Sequence, residues 1–564
     1  MPFLVRSEKR PLPGRFVLPA LAACSGLLFA GSEGGDYGPL PPVGSSNISI
    51  ADPVVKRPST TPCEIVLLDD MTFDDYSPRP YTFAPPPGCP APWSKVVLTL
   101  DASVTAGIQY DRTGSLWMGG VNIYFGTTSE PATNYSPSWH VERDLTDYTA
   151  LFTSPQSGQA LIGNTVNAQY TGVIHGTATL QFYPVSAADP APVVPDRVIP
   201  LGSDPVGATV DLADATQTLG QPLALPTNIE RAYVDLVAES QGGDEFWWSC
   251  MPDDVAAITG DCPGTAFREV ELGVDGQPAA VAPIYPWVYT GGVQPNLWIP
   301  TPGLQTLNFR AWRANLTPFA GVLGDGAPHT VSLGVYNAHD HFATTATLLL
   351  YLDAGITQVG GGVTTNTIAP PAPVVTSTFD ADGIGTATVA SNRRFTVAGY
   401  VLTSHGRVDT SIEQTFAFET TTTYPDASTE TLTQRTTVDT TTTVTEADGG
   451  AVTRTDEHVA YPFSFDYLGS PGIDFDQRLV HNLATTVAGA AGFASRLSDH
   501  VATHYQGAAA SRHGQQEYDY SDSTGACYSR AITSAANKLA TVVDGASCEV
   551  LADTIFGDGF DGVN

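Results

Sequence analysis

Short runs in which apolar and polar residues alternate recur along most of the chain, with glycine, proline and asparagine clusters between them. Residues 96–100, 120–125 and 178–183 are examples from the first third. Alternation with a period of two suits a half-buried strand, because successive side chains point to opposite faces of a sheet. Short strands with frequent turns are typical of antiparallel sandwiches. The pattern therefore predicts an all-β protein whose first β-sandwich spans residues 63–190.

A proline-containing linker at residues 187–195 precedes a second β-rich unit. This unit is predicted over residues 198–354, where residues 348–352 form an apolar run suited to a buried closing strand. Three further prolines within residues 370–373 mark the next boundary. We expect a second β-sandwich between these two boundaries.

The last third of the chain has a different, threonine-rich texture and is predicted to form a C-terminal β domain over residues 375–550. Long alternating segments flank Asp448-Gly449-Gly450, which is a hairpin signal. The alanine-rich stretch 487–510 is compatible with either helix or strand. Residues 551–564 read as a tail, to which no chemistry is assigned.

Residues 1–30 have the pattern of an export signal. A basic stretch precedes an apolar run at residues 16–30, which is short for a membrane span. Within this run, Leu21-Ala22-Ala23-Cys24 resembles a bacterial lipobox that would lipidate Cys24; the alternative is ordinary cleavage near Ala30. The Gly-, Pro- and Ser-rich residues 31–62 are predicted to form a flexible stalk. We expect an exported protein, secreted or periplasmic, with no membrane span in the mature chain and either no anchor or a lipid anchor at Cys24.

The amino-acid composition argues against some classes of function. The 564 residues contain 25 Lys and Arg against 58 Asp and Glu, a net charge of −33. Such a balance argues against nucleic acid as a partner, because binding to phosphates selects basic patches. Only 15% of residues are charged, while 42% are hydrophobic. This composition supports a large buried core and suits a strand-rich protein.

Seven cysteines are present, and six remain if Cys24 belongs to the leader. An even number in an exported chain predicts disulfides, although six cysteines permit 15 pairings. The local pairing keeps each bridge inside one predicted domain. It joins Cys63 to Cys89, Cys250 to Cys262, and Cys527 to Cys548.

Two segments concentrate side chains that could carry chemistry. Residues 109–112 read Gln-Tyr-Asp-Arg; if this segment is a strand, Gln109 and Asp111 face one side while Tyr110 and Arg112 face the other. Residues 244–248 read Asp-Glu-Phe-Trp-Trp, two acids followed by three aromatics. Aromatic rings can support the apolar faces of sugars while carboxylates bind their hydroxyls; the alternative is an aromatic core patch with solvated acids.

The sequence contains only weak indications of a metal or cofactor site. His339 and His341 would share a strand face, but no third ligand is apparent nearby, so a hydrogen-bonded pair is favoured over a metal site. The sequence contains no Gly-x-Ser-x-Gly and no phosphate-binding loop motif. No cofactor and no metal are expected.

Taken together, these motifs resemble the A-type peptide-N-glycosidases, amidases that remove N-glycans from asparagine. The matching segments occur in family order through the first two predicted domains. They are residues 107–112, 117–120, 127–131, 144–148, 228–233, 243–247, 267–270, 289–292, 316–319 and 325–329.

The resemblance implies two adjacent jelly-roll-like sandwiches with an active site in the cleft between them. The related F-type enzymes carry Trp-Asp-Arg at the place of residues 110–112, so their catalytic aspartate would fall on Asp111. Their second carboxylate would fall on Glu245. Their third acid, late in the first domain, has no evident match; Asn164, Asn167 and Gln169 occur there.

The implied reaction is hydrolysis of the amide between an asparagine side chain and the innermost N-acetylglucosamine, leaving aspartate and a 1-amino sugar. N-glycopeptides or N-glycoproteins would be the partners of a monomeric enzyme. The carboxylate pair and the acidic balance motivate an acidic pH optimum. Two rival functions are an endoglycosidase acting on N-glycans and a non-catalytic glycan-binding protein. The expected substrate-binding residues are Arg112, Trp117, Asp244, Trp247, Trp248 and Glu269; Glu269 could instead form a structural ion pair.

Overall fold

The computed structural model describes residues 37–446, 452–470, 474–489, 492–506, 509–523 and 526–545. Antiparallel strands dominate these ranges, which confirms the all-β prediction. Helices are short there. They are α1 (Asp253–Thr259), α2 (Ala320–Leu323) and the 3-10 turns Thr146–Thr153, Gly242–Asp244, Trp247–Ser249, Pro295–Trp298 and Thr317–Phe319.

The first unit is a β-sandwich of two antiparallel sheets. Its strands are β1 (Cys63–Phe73), β2 (Arg79–Phe83), β3 (Trp93–Val104), β4 (Thr113–Met118), β5 (Val121–Thr127), β6 (Ser138–Asp144), β7 (Gln156–Ile162) and β8 (Ile174–Pro184). One sheet has the order β1-β8-β3-β6 and the other β2-β7-β4-β5. Apart from the β4–β5 hairpin, successive strands thus alternate between the two sheets as in a jelly roll, and their inward side chains form a single core.

The second unit repeats this arrangement. Its strands are β9 (Arg197–Pro200), β10 (Val210–Leu212), β11 (Leu219–Ala224), β12 (Ile229–Gln241), β13 (Glu269–Val274), β14 (Gln277–Pro283), β15 (Trp312–Asn315), β16 (Pro328–Tyr336) and β17 (His341–Leu352). One sheet is β10-β17-β12-β15 with β9 beside β17, and the other is β11-β16-β13-β14. The prediction of two jelly-roll-like sandwiches is confirmed. Strand β12, buried on both faces over most of its length, ends beside the first unit.

The remaining described strands form one large antiparallel sheet. They are β18 (Gly360–Asn366), β19 (Val374–Ser377), β20 (Gly385–Thr403), β21 (Gly406–Asp426), β22 (Thr429–Glu446), β23 (Val452–Ser470), β24 (Asp474–Ala488), β25 (Phe493–Gln506), β26 (Ala509–Asp522), β27 (Cys527–Ala535) and β28 (Lys538–Asp544). From β20 onward each strand pairs with the next along the chain. One face of the sheet packs on the second sandwich, so that Phe416, Phe418 and Phe463 share a core with Trp247 and Trp248.

The threonine-rich segments are therefore strands, as their alternation predicts. Strands β22 and β23 pair from Thr445 opposite Val452 onward, while residues 447–451 lie outside the described residues. The alanine-rich stretch, undecided from sequence, forms the end of β24, all of β25 and the start of β26.

The prediction of a flexible stalk is wrong for residues 37–62. They contain no strand, yet they cross the surface from the C-terminal sheet to the first sandwich with fixed contacts. The Ala51 N–H donates to Gln516 at 2.8 Å, and Arg57 forms an ion pair with Glu142 at 2.7 Å. Backbone hydrogen bonds therefore hold a segment whose composition is that of a linker.

Disulfides join Cys63 to Cys89 and Cys250 to Cys262, which confirms these two pairings. Cys548 lies outside the described residues, so the pairing with Cys527 stays a prediction. The export signal with Cys24 and the tail 551–564 also lie outside them. Among the described helices, none has the length and hydropathy to cross a bilayer.

Candidate active site

A cavity of about 330 Å³ lies between the first two sandwiches, and Asp111 and Glu245 both line it. Asp111 sits in the loop that leads into β4, whereas Glu245 follows the end of β12. The structure thus brings these two acids together from opposite sides of the domain boundary. The other lining residues are Tyr76, Arg112, Thr113, Thr127, Gly163, Glu239, Gln241, Gly242 and Tyr289.

The Asp111 loop is held by contacts within and between the sandwiches. The Arg112 N–H donates to Thr128 Oγ1 at 2.9 Å, and the Thr128 N–H donates to the Arg112 carbonyl at 2.9 Å. Across the boundary, the Gly291 N–H donates to the Asp111 carboxylate. A Cβ at Gly291 would lie 2.8 Å from Asp111 Oδ1, so a larger residue there would displace the Asp111 carboxylate.

The alternating-face prediction for residues 109–112 is wrong, because this segment is a loop and β4 begins at Thr113. Gln109 is buried and accepts a hydrogen bond from Arg112 Nη2 at 2.7 Å, so these two side chains meet. Arg112 remains at the cavity, and its buried Nε has no hydrogen-bond partner among the described residues.

Glu245 is positioned by its neighbour Asp244. Asp244 is fully buried; its Oδ1 pairs with Arg268 at 2.9 Å. Its Oδ2 accepts the backbone N–H groups of His339, Asp340 and His341 at 2.8, 2.7 and 3.2 Å. The turn that carries Glu245 is thereby tied to the start of β17. The prediction that Asp244 binds substrate is wrong, because its carboxylate is saturated within the protein.

Two carboxyl groups that the sequence analysis did not single out complete the site. Glu239 lies on β12 with 1% of its surface exposed, and it accepts hydrogen bonds from Thr113 Oγ1 at 3.1 Å and Gln241 Nε2 at 2.8 Å. Glu130 Oε1 lies 3.4 Å from the Asp111 backbone nitrogen. An acid inside the apolar run of β12 is the signal that could have drawn attention to Glu239, since buried carboxyls are rare. Glu130 offered only its place in a family motif.

Burial raises the pKa values of all four carboxyl groups, but unequally. The pKa of Asp111 rises to about 6, limited by the Gly291 N–H and the Arg112 charge. Burial, reinforced by the Asp111 charge, raises the pKa of Glu245 to about 7. The pKa values of Glu130 and Glu239 rise to about 8, with the Asp111 charge adding to burial in both cases. Asp111 is therefore the first of the four to ionise, and the protons stay longest on the two glutamates beside it.

The tryptophans expected to stack on sugars lie in the core instead. Trp247 is 0% exposed and its ring contacts Phe418 at a centroid distance of 6.3 Å. Trp248 donates from Nε1 to the Trp287 carbonyl at 3.1 Å and packs on Phe463 at 4.8 Å. Both rings anchor the C-terminal sheet to the second sandwich. The substrate-binding prediction is wrong for both, and the aromatic core patch is the correct alternative.

Trp117 and Glu269 also do not line the cavity. Trp117 is 3% exposed, donates from Nε1 to Ser115 Oγ at 2.8 Å, and packs against Gly207. Glu269 is fully buried and forms an ion pair with Arg393 of the C-terminal sheet. Their predicted substrate contacts are wrong; for Glu269 the structural ion pair is the correct alternative. Of the six residues expected to bind substrate, Arg112 lies at the cavity.

Within the described residues, no group of three or more His, Cys, Asp or Glu side chains has the arrangement of a metal site. His341 lies 3.5 Å from Asp211, and the 339–341 segment serves through its backbone as the partner of Asp244. Carboxyl groups and one guanidinium are among the side chains that line the cavity.

The chain has sequence similarity to a known family and to a curated relative, and weaker similarity to solved structures. Residues 52–366 match the family described as peptide N-acetyl-beta-D-glucosaminyl asparaginase amidase A. The peptide-N4-(N-acetyl-beta-glucosaminyl)asparagine amidase A of Prunus dulcis is 29% identical over 389 residues, covering 64% of this chain and 67% of that protein. Among solved structures, PNGase F, a glycosylasparaginase from Flavobacterium meningosepticum, shares 13% identity with a TM-score of 0.34, covering 52% of this chain and 96% of that one. PNGF-II shares 12% identity with a TM-score of 0.34, covering 52% and 66%.

Proposed function

The chain belongs to the peptide N-acetyl-β-D-glucosaminyl asparaginase amidase A family, and from that membership we propose the reaction and its catalytic residues. The protein hydrolyses the amide bond between an asparagine side chain and the innermost N-acetylglucosamine of an N-linked glycan. Water adds its hydroxyl to the carbonyl carbon and a proton to the departing nitrogen. The products are an aspartate and a 1-amino-oligosaccharide. The presence of Asp111 and Glu245 in one cavity is the observation that carries the assignment of residues.

The unequal pKa values support a different role for each of the two carboxyl groups. Asp111 ionises first, with a pKa of about 6, and so accepts a proton from the attacking water. Glu245 keeps its proton up to a pKa of about 7 and donates it to the leaving amine. Arg112 lines the cavity, and its positive charge is assigned to the oxygen of the substrate carbonyl as negative charge develops there.

Mass spectrometry of one N-glycopeptide distinguishes the proposal from its rivals. An amidase converts the glycosylated asparagine to aspartate, whereas an endoglycosidase leaves one N-acetylglucosamine on asparagine. A glycan-binding protein leaves the mass of the glycopeptide unchanged. Retention of an N-acetylglucosamine on asparagine, or an unaltered glycopeptide over a range of pH, would rule the amidase out.

The catalytic residues are tested by two isosteric variants, Asp111→Asn and Glu245→Gln. Each should reduce kcat by about 100-fold or more while glycopeptide binding is retained, since general acid–base groups contribute on the order of 10²–10⁴. Asp69→Asn, at an exposed acid on the first sandwich, is the matched control and should keep full activity. Full activity in Asp111→Asn would contradict the assignment.

We propose further that the protein works after export and as a monomer. The Cys63–Cys89 and Cys250–Cys262 bridges support an oxidising compartment. Fractionation of expressing cells, with mass analysis of the mature N-terminus, would distinguish ordinary cleavage from lipidation at Cys24. Sedimentation at the working concentration tests the monomer.

A further inference from the structure

A second cavity, of about 500 Å³, lies between the second sandwich and the C-terminal sheet. Its lining comes from strands β12 to β15 and nearby loops on one side and from strands β20 to β24 on the other. None of these residues lines the cavity that contains Asp111 and Glu245. We call this second space the interlayer cavity. Because protein interiors are closely packed and voids larger than a water molecule are few, a space of this size is suited to a small organic molecule.

Aromatic side chains line the interlayer cavity from both layers. Tyr285, Trp287 and the half-buried Trp312 belong to the second sandwich, while Phe395 and Tyr461 belong to the sheet. The rings of Tyr285 and Tyr461 contact each other across the boundary, with centroids 5.0 Å apart. The sheet also presents four half-buried threonines, namely Thr440, Thr442, Thr455 and Thr485. The lining thus offers ring faces together with hydroxyl groups.

Glu457 of β23 is half-buried at the interlayer cavity, and its carboxyl group has no positive partner. None of the other described residues forms an ion pair or a hydrogen bond with its side chain. The two arginines in the same lining are already paired, Arg310 with Asp52 at 2.7 Å and Arg313 with Asp235 at 2.7 Å. Burial raises the pKa of Glu457 because no nearby positive charge opposes it. A partly buried carboxylate in this position favours the binding of a cation.

The remaining lining indicates what kind of cation fits. Glu457 is the only acid among the described residues of this cavity, and no histidine or cysteine joins it there. Metal ions prefer several such ligands, whereas an organic cation is held by one carboxylate together with aromatic ring faces.

We propose that the interlayer cavity binds an organic cation whose ammonium group is attached to an aromatic ring. The ammonium group pairs with Glu457, and the ring packs among the aromatic side chains and gains their dispersion contacts. This binding site goes beyond the proposed hydrolysis, since no residue of its lining belongs to the cavity of Asp111 and Glu245.

The test is calorimetry on the full chain with three probes that share one ring system and differ in charge. They are 1-naphthylmethylamine, 1-naphthalenemethanol and 1-naphthoate. At about pH 7.5 the amine is protonated, and it should bind about tenfold more tightly than the alcohol, with the carboxylate weakest. Glu457→Gln should remove this preference while the affinity for the alcohol stays within about twofold. Glu419→Gln, at an exposed acid on the opposite face of the same sheet, is the matched control and should keep the preference.

Further variants locate the bound amine, because the four carboxyl groups around Asp111 also attract cations. Asp111→Asn should bind the amine as tightly as the unmodified chain does. Thr442→Trp, which fills the interlayer cavity, should weaken both the amine and the alcohol at least about tenfold, whereas Thr442→Val should bind both. Thermal unfolding shows whether each variant is folded, and the Glu457→Gln comparison decides the matter if Thr442→Trp is not.

Two results would overturn the proposal. One is an amine that binds no more tightly than the alcohol, and the other is an amine affinity that falls in Asp111→Asn and not in Glu457→Gln. None of these measurements involves turnover, so they are independent of whether the proposed amidase reaction is found.

Discussion

The behaviour of the candidate site follows from four carboxyl groups that share one poorly hydrated region. Each negative charge there raises the cost of the next, so the groups lose protons in sequence. Asp111, with an N–H donor from Gly291 and the Arg112 charge nearby, ionises before Glu245. In the proposed mechanism, one protein environment thereby supplies a base and an acid from chemically similar side chains.

A pH–rate profile follows from this order. Activity should rise as Asp111 loses its proton near pH 6 and should fall as Glu245 loses its proton near pH 7. The maximum should lie below neutrality, which keeps the proposal of an acidic optimum. The measurement is kcat/KM for one glycopeptide from pH 4 to 9. A maximum above pH 7.5 would contradict the assignment of Glu245 as the acid.

Glu239 should respond to mutation differently from Asp111 and Glu245. With a pKa near 8 it carries a proton at the working pH, so Glu239→Gln should retain most activity at pH 6. Glu239→Ala should lose at least tenfold, because Thr113 and Gln241 lose their buried partner. Kinetics of both variants at pH 6, beside Asp111→Asn, check this expectation. An equal loss in the glutamine and alanine variants would show that Glu239 acts as a carboxylate.

At the scale of the element, the 3-10 turns after β12 determine the directions of the Asp244 and Glu245 side chains. Asp244 and Glu245 are neighbours, yet one is turned into the core and the other toward the cavity. Asp244 satisfies three backbone N–H groups of the β17 approach together with Arg268. Of these two adjacent acids, Asp244 therefore has a structural role and Glu245 has the proposed chemical role.

Asp244→Ala should destabilise the protein by about 3–5 kcal/mol, because it leaves the Arg268 charge buried without its partner. Urea unfolding measures this, and kcat should fall as well because Glu245 loses its support. The control is Glu413→Ala, which breaks the exposed pair with Arg394 and should cost about 1 kcal/mol or less. Similar losses in the two variants would contradict an anchoring role for Asp244.

Sequence patterns predict the strands well because burial imposes a period of two on every half-buried strand. They predict short segments poorly. Residues 109–112 and 244–248 form a loop and tight turns, where side-chain direction depends on local hydrogen bonds rather than on alternation. Trp247 and Trp248 looked available for ligands because nothing in the sequence shows that the C-terminal sheet covers them. Glu130 and Glu239 belong to one site because the two sandwiches pack together, and the sequence does not show how they pack.

At the scale of the whole molecule, the C-terminal sheet extends the core of the second sandwich. Its aromatic residues share a hydrophobic cluster with Trp247 and Phe267, and Arg393 neutralises the buried Glu269. Residues 37–57 tie the same sheet to the first sandwich through the Arg57–Glu142 pair and the Ala51–Gln516 hydrogen bond. The sheet therefore supports the catalytic half, and threonine-rich composition alone gave no sign of this.

Whole-molecule stability should decrease as the pH rises from about 5 to 8. Burial raises the pKa values of Glu239 and Glu430 to about 8, and those of Asp499 and Glu245 to about 7. In the unfolded chain such groups lose their protons near pH 4. Between pH 4 and 8 the native state thus binds more protons than the unfolded state, and the free energy of unfolding falls with rising pH.

His481 and His500 act in the opposite direction, since burial lowers the pKa of His481 to about 3 and also lowers the pKa of His500, but two histidines do not offset several carboxyl groups. Thermal unfolding at intervals from pH 5 to 8.5 should therefore show a steadily falling Tm. Glu430→Gln, which removes one of the raised groups far from the cavity, should make the slope shallower. A Tm that is constant or rises over this range would contradict the buried carboxyl account. If Tm falls with pH in this way, the burial of carboxyl groups has two effects. It separates the proposed roles of Asp111 and Glu245, and it makes the fold most stable at the acidic pH at which the enzyme is proposed to work.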